Sequence, residues 1–237
     1  MTPQSRLRLF QLASQALPIG GYSHSHGLEA AIESKIVRDE ASLLRWSVDL
    51  LEFSVGSFEA PCLLALSEAW ADRDVGAVRC LNDEFLATRE AAELRAATVQ
   101  LGYSMRLLLA QLPGFATEIV LALQSIEEPA LPCTWSAAAA AWSIPADESL
   151  LAYLWSWAEN QVLVGVKTLP LGQSAGQRVL QDIGTSVAAA SVAAASVAAT
   201  APSADRTGKP RRGSNFAPAL AILSSQHETQ YSRLYRS

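Results

Sequence analysis

Apolar residues recur at intervals of three and four along nearly every long segment of this 237-residue chain. Leu43, Trp46 and Leu50 show the spacing early, and it returns between Leu151 and Val166. This period places apolar side chains on one face of an α-helix. No stretch shows the strict alternation and β-branched enrichment that are typical of a strand. The sequence therefore predicts an all-α protein, built as a single-domain multi-helix bundle.

Proline and glycine separate the predicted helices, as at Pro113-Gly114 and Pro145. Asp39 and Asp147 each precede a helical pattern, which predicts that they are N-caps. The predicted helices cover residues 4–16, 25–35, 40–54, 58–71, 74–88, 90–112, 115–125, 134–143, 147–168 and 172–182.

Composition predicts a cytoplasmic protein. The three cysteines, Cys62, Cys80 and Cys133, lie far apart in apolar helical settings, as buried thiols do in a reducing compartment. No apolar run approaches the ~18 residues of a membrane span. The first helix is amphipathic and lacks the pattern of a signal peptide. We therefore expect no membrane association.

Charge is unevenly distributed along the chain. From Ser203 onward there are six basic and two acidic residues, a net +4, so residues 1–202 carry −9 of the total −5. An acidic body argues against nucleic acid as a partner. The basic end can meet an acidic protein surface.

Residues 186–200 form a five-residue repeat of Ser-Val-Ala-Ala-Ala, twice, and then Ser-Val-Ala-Ala-Thr. In a helix, Val187, Val192 and Val197 drift by about 140° per repeat and cannot form one apolar stripe. Alanine favours helix, so a poorly anchored helix ended by Pro202 is one option. The predicted organisation is a helical bundle domain at 1–185, a mobile repeat and basic linker at 186–214, and a C-terminal partner-docking segment at 215–237.

The last eleven residues, from His227 to Ser237, hold two tyrosines, two arginines and a leucine. Tyrosine and arginine dominate the hot spots of protein interfaces. The composition predicts a docking segment. The alternative is that the segment folds back on its own body.

Residues that could carry chemistry are few. His24 and His26 lie in a glycine-containing loop that permits a shared metal, but no cysteine or third histidine nearby completes a zinc site. They are weak metal candidates, and capping a helix or lining a surface is the commoner role. The chain has neither a nucleophile elbow nor a phosphate-binding loop. We therefore expect no active site.

Three polar stretches interrupt the apolar patterns. Charges from Arg89 to Arg95 have helical spacing, which predicts a solvated face with weak pairs of ~0.2–0.5 kcal/mol. Polar residues 159–161 need hydrogen-bond partners if they are buried, inside the bundle or at an interface. Glycines in 171–178 predict a close approach of helices. The candidate interface or structural residues are Glu93, Arg95, Glu159, Asn160, Gln161, Gln173, Gln177 and Arg178.

In series, these stretches resemble the UreF family of urease accessory proteins. They follow the family's order from about residue 8 to the last residue, and together they are specific although none is diagnostic alone. The matching stretches are Ala16–Ser23 with Gly27–Glu29, Arg89–Glu90 with Glu93–Arg95, Trp155–Trp157 with Glu159–Gln161, Pro170–Gln173 with Ala175–Arg178, and His227–Ser237.

The resemblance implies an all-helical homodimer that has no catalysis and no cofactor of its own. Family members bind UreD, also called UreH, and the GTPase UreG, and the complex delivers nickel into apo-urease with GTP hydrolysis driving or gating the transfer. The resemblance also implies partner binding through the tail and the loop near Tyr22. The candidate partner-binding residues are Tyr22, His227, Glu228, Tyr231, Arg233, Leu234, Tyr235 and Arg236.

Two alternatives remain open at this point. A direct nickel carrier would use His24, His26 and His227, since imidazole suits Ni²⁺. An unrelated hydrolase would use Ser23 or Cys62. Residues 186–214 also depart from the family pattern as an expanded insertion, and we expect docking of the tail to survive it because a longer tether lowers effective concentration slowly.

Overall fold

The computed structural model describes residues 1–200, 215, 217–227 and 233–235, with Ala199 and Thr200 described as backbone only. As predicted, it is all-α, and the described residues contain no β-strand. The α-helices are α1 Pro3–Ala13, α2 Leu28–Glu33, α3 Glu40–Leu50, α4 Ala60–Ala71, α5 Val75–Ala87, α6 Ala92–Gln111, α7 Thr117–Gln124, α8 Leu131–Ala141, α9 Ala146–Thr168, α10 Gln173–Thr200 and α11 Pro218–His227.

Helix α9 is the centre of the bundle. It packs along α10 and also contacts α1, α2, α3, α4 and α8. Its inward face carries Leu150, Leu154, Ala158 and Val164, all essentially inaccessible to solvent. Full burial of a leucine side chain contributes roughly 1.5–3 kcal/mol. These contacts therefore hold α9 firmly in the bundle, and with it the polar side chains that α9 carries.

Of the two predicted N-caps, Asp39 and Asp147, the structure confirms one. The Asp39 carboxylate accepts from the backbone N–H of Ser42 at 2.8 Å, which confirms Asp39 as the N-cap of α3. The prediction for Asp147 was wrong, because α9 begins at Ala146 after Pro145. Asp147 instead lies in the first turn, where its charge complements the helix dipole.

The chain from Glu40 to Ala71 forms one continuous helical run, where two helices with a break were predicted. A π-helical segment, Leu51–Glu59, joins α3 to α4. Its wider turn contains Gly56, at which a Cβ would lie 2.5 Å from the Leu51 carbonyl oxygen and 3.0 Å from Ala190 Cβ. The missing side chain therefore lets α10 pack directly on the π-helical segment.

This same run is long and apolar enough, at 32 residues, to cross a membrane by length and composition alone. However, 72% of its most apolar window is buried inside the fold. Its apolar residues are used for packing against α8, α9 and α10. The run therefore has the environment of a core helix.

Helix α10 is longer than predicted. The expected end at residue 182 was wrong, because the helix continues through the whole repeat to Thr200. Val187 is buried, whereas Val192 is 68% exposed and Val197 is also exposed. The drift of the three valines around the helix is thereby confirmed. Anchoring in the repeat comes mainly from Val187 and Ala194. Residues 201–214 of the predicted repeat and basic linker lie outside the described residues.

Candidate functional site

The loop between α1 and α2 contains the exposed Tyr22. Gly20 and Gly27 have φ angles of +83° and +78°, in the left-handed region that favours glycine. A Cβ on Gly27 would lie 2.6 Å from Leu220 Cδ1, so its absence lets α11 pack onto the start of α2. Between the two glycines a 3-10 turn leaves the Tyr22 side chain 56% exposed.

Two amide side chains of α9 hold this loop from below. Asn160 Nδ2 donates to the carbonyl of His24 at 2.8 Å, and Gln161 Nε2 donates to the carbonyl of Ser25 at 3.3 Å. Both amides are buried, whereas Glu159 is half-buried. Two of the three polar residues in this stretch thus belong to a network inside the bundle, one of the two arrangements predicted for them.

The histidines of the loop do not form a metal site with His227. His24 is buried and His26 is half-buried. Burial, and then the nearby His24, lower the pKa of His26 to about 4, so its ring is neutral at pH 7. Within the described part of the chain, no three His, Cys, Asp or Glu side chains are grouped so as to hold a metal ion.

A buried ion pair lies beside the loop. Arg89 donates to Glu59 Oε1 at 2.7 Å, and the Tyr153 hydroxyl donates to Glu59 Oε2 at 2.8 Å. The Arg89 guanidinium also stacks 4.4 Å from the centre of the Phe85 ring. Burial, and then Glu59, raise the pKa of Tyr153. The solvated face predicted from Arg89 onward is therefore wrong at its first residue.

The last described part of the chain, residues 215, 217–227 and 233–235, lies on the body and is called here the strap. It begins at Asn215, whose side-chain amide donates to the Thr88 carbonyl at 3.0 Å and accepts from the Ser54 hydroxyl at 2.7 Å. Helix α11 then buries Leu223 against the core. One side chain thus joins the strap to both the π-helical segment and the end of α5.

The strap ends at two carboxylates, Glu29 of α2 and Glu93 of α6, called here the acidic clamp. His227, fully buried, has Nδ1 at 2.8 Å from Glu93 Oε2 and Nε2 at 3.1 Å from Glu29 Oε2. Arg233 donates to the other oxygen of Glu93. Glu29 and Glu93 therefore hold His227 and Arg233 of the strap, although well over a hundred residues of sequence lie between each carboxylate and its partner.

The backbone of the strap is held by the same clamp. Glu29 Oε1 accepts from the N–H of Leu234 at 2.7 Å, and its Oε2 accepts from the N–H of Tyr235 at 2.9 Å. Burial, and then Glu29, raise the pKa of Tyr235. The Leu234 side chain itself points away and is 76% exposed. The remaining candidates Glu228, Tyr231 and Arg236 lie outside the described residues.

The other candidate arginines form ion pairs at the surface. Arg95 makes two parallel hydrogen bonds to Glu128, at 2.9 and 2.7 Å, and Arg178 makes two to Glu40 at the same distances. These bonds lower the pKa of Glu128 and of Glu40. Exposed pairs of this kind contribute little to stability. Gln173 and Gln177 are exposed on the first turns of α10.

The space beneath the loop is too small for a substrate. A cavity of about 80 Å³, lined in part by His26, Tyr153 and Asn160, has room for a few water molecules and is far below the size of typical ligand pockets. The Ser23 hydroxyl donates to a backbone carbonyl in its own turn at 2.7 Å, and Cys62 is fully buried. Neither nucleophile named for the hydrolase alternative is thus presented to a ligand-sized pocket.

Sequence reasoning missed several residues that build this region, above all Glu29, Glu59, Tyr153 and Asn215. Glu29 and Glu59 sit in short apolar stretches where a buried acid needs a partner, which was the available signal. Their partners cannot be found by spacing, because Glu29 bonds to residues 198–206 positions later in the chain.

Comparison with known proteins gives a consistent result. The sequence model of the UreF family matches residues 37–184, more than half of the chain. The chain is 53% identical to the urease accessory protein UreF of Azoarcus sp. (strain BH72), covering 98% of this chain and 95% of that protein. It is 50% identical to the UreF of Dechloromonas aromatica (strain RCB), covering 97% and 96%.

Proposed function

Because the chain belongs to the UreF family of urease accessory proteins, we propose that it is a helical adaptor in urease maturation. It bridges UreD (UreH) and the GTPase UreG in a complex that loads nickel into apo-urease, and it modulates the GTP-dependent step. It works in the cytoplasm as a homodimer, without catalysis or a cofactor of its own.

The observation that carries the proposal is the joining of the Tyr22 loop, α2 and the strap into one unit. Leu220 packs at Gly27, and the strap backbone bonds to Glu29. The N–H groups of Leu234 and Tyr235 thereby have acceptors within the chain, while the Tyr22 and Leu234 side chains stay exposed. An apolar and aromatic surface that is already ordered suits a protein partner, because little conformational entropy is then lost on binding.

Co-purification with UreD and UreG tests the adaptor role. We expect a chain truncated before His227 to lose UreD, and Tyr22→Ala and Leu234→Ala to weaken its capture without unfolding the body. Leu121→Ala on α7 removes a similarly exposed apolar side chain and is the matched control. Unchanged assembly after the truncation would contradict the proposal.

Nickel is, in this proposal, a cargo of the assembled complex and not of the isolated chain. The two ring nitrogens of His227 already contact carboxylates, which supports this assignment over the carrier alternative. We expect nickel titration of the isolated protein to give only weak binding. Tight binding that disappears in a His24→Ala, His26→Ala double variant would favour the carrier instead.

A further inference from the structure

Asn215 closes a ring of contacts between the strap and the buried ion pair. Its side chain accepts from the Ser54 hydroxyl at 2.7 Å and donates to the Thr88 carbonyl at 3.0 Å. The residue after Thr88 is Arg89, which donates to Glu59 at 2.7 Å, and Glu59 lies in the same π-helical segment as Ser54. The ring therefore runs from this segment through the strap to the end of α5, and back to the segment.

The π-helical geometry brings Ser54 and Glu59 to one side of the segment. In a regular α-helix, two residues five positions apart point about 140° away from each other. The hydrogen bonds of a π-helix instead join residues five apart, so Ser54 and Glu59 are close to one turn apart and face the same way. Both are buried, and each bonds to a residue outside the segment. An α-helical segment would point one of the two away from the ring.

Helix α11 of the strap depends on contacts with the body because it is short. Its ten residues, Pro218–His227, fall below the ~12–15 residues at which an isolated helix is marginal in water. The acidic clamp holds the end of the strap through His227 and the N–H groups of Leu234 and Tyr235. Asn215 supplies polar bonds at the start of the strap, just before α11 begins.

We propose that Asn215 is a positioning residue, which holds the start of the strap on the π-helical segment and thereby fixes the partner-binding surface that the strap shares with the Tyr22 loop. It acts through the position of α11, whose Leu220 packs at Gly27 in that loop. Holding the strap is a property of the isolated chain. The consequence for partner binding rests on the proposed function.

Hydrogen exchange of the full chain tests the hold on the strap. Amide hydrogens of α11 are protected while the strap is docked and exchange when it is released, since so short a helix is marginal alone. Loss of one neutral hydrogen bond corresponds to about fivefold. We expect Ser54→Ala to lower the protection of α11 by about fivefold, and Asn215→Ala, which removes two bonds, by more than about tenfold. Amides of α9 are the internal reference and should keep their protection.

A double variant and a matched control make this test specific. Ser54→Ala combined with Asn215→Ala should be no worse than Asn215→Ala alone, because the two residues share one bond. Ser47→Ala is the control, since Ser47 is fully buried in the same helical run but its hydroxyl donates to the Leu43 carbonyl of its own helix. Unchanged protection of α11 in Asn215→Ala, or losses that simply add in the double variant, would overturn the proposal.

Co-purification with UreD separates this proposal from the proposed function. We expect Asn215→Ala to weaken capture, but less than truncation before His227, because the acidic clamp remains. If the truncated chain still captures UreD, the proposed use of the strap is wrong, and hydrogen exchange alone decides whether Asn215 holds it. If truncation abolishes capture while Asn215→Ala leaves it unchanged despite lowered protection of α11, Asn215 does not position the partner-binding surface.

Discussion

Two regions of this bundle are held in opposite ways. The distal half of α10, residues 186–200, contacts the body through small apolar side chains such as Val187 and Ala194. The corner formed by the Tyr22 loop, α2, the strap and the Glu59–Arg89 pair is held by directional polar bonds, many of them to buried carboxylates. The apolar contacts of α10 are made by a sequence of low complexity. The polar bonds of the corner instead depend on particular residues.

The difference teaches where substitution should matter. Apolar contacts scale with buried area and tolerate changes that conserve volume. A buried carboxylate that loses its partner instead leaves a charge without compensation, which lowers the free energy of unfolding by about 3–5 kcal/mol. The corner should therefore respond sharply to single substitutions and to pH, while the distal half of α10 should respond weakly.

The largest expected effect is at the buried ion pair of the corner. Arg89→Met should lower the free energy of unfolding by about 3–5 kcal/mol, because Glu59 is left buried with only the Tyr153 hydroxyl. Arg95→Met removes an exposed pair with Glu128 and should lower it by less than about 1 kcal/mol. Denaturant unfolding of both variants measures the contrast. If both variants lost the same free energy of unfolding, burial would not explain a difference between the two ion pairs.

The acidic clamp should be the next most sensitive point. Glu29→Ala removes the acceptor of two backbone N–H groups and of the His227 ring, which should weaken docking of the strap by about 3 kcal/mol, more than a hundredfold. Glu33→Ala, on an exposed position of the same helix, is the control and should have no effect. Leu223 methyl signals report docking in both chains, and retention of the docked signal in Glu29→Ala would refute the role of the clamp.

His26 should make the stability of the body depend on pH. Its pKa is about 4 in the fold against 6.5 in the unfolded chain, so between these values the unfolded chain binds a proton that the fold excludes. Stability therefore falls as pH falls through this window, by at most about 3 kcal/mol. Thermal unfolding from pH 7 to pH 4 measures the slope. His26→Gln should flatten it, and an unchanged slope would assign the effect to other groups.

The smallest effects are expected in the repeat. Val187→Ala removes two buried methyl groups and should lower stability by about 1–2 kcal/mol. Val192→Ala, one repeat later on an exposed face, should change it by less than about 0.5 kcal/mol. Denaturant midpoints compare the two. If the exposed valine proved as costly to remove as the buried one, the face assigned to each would be wrong.

Sequence predicted the architecture well, because the apolar period that identifies helices is local. It predicted the Asp39 cap and the drift of the three valines for the same reason. It missed the joining of α3 to α4, since a π-helical turn has no distinct apolar period, and it ended α10 too early because a drifting pattern resembles the end of a helix. The acidic clamp could not be predicted, since Glu29 and its partners meet only through the tertiary fold.

The separation of Glu29 from its partners also orders events during synthesis of the chain. Glu29 leaves the ribosome early, but its hydrogen-bond partners Leu234 and Tyr235 are made about two hundred residues later. Domains generally acquire structure from the N-terminal side as they emerge, so the bundle can form around a clamp that is still open. The strap can close on it only after Leu234 and Tyr235 have been made, and a growing chain that lacks these residues therefore cannot offer the completed corner to a partner.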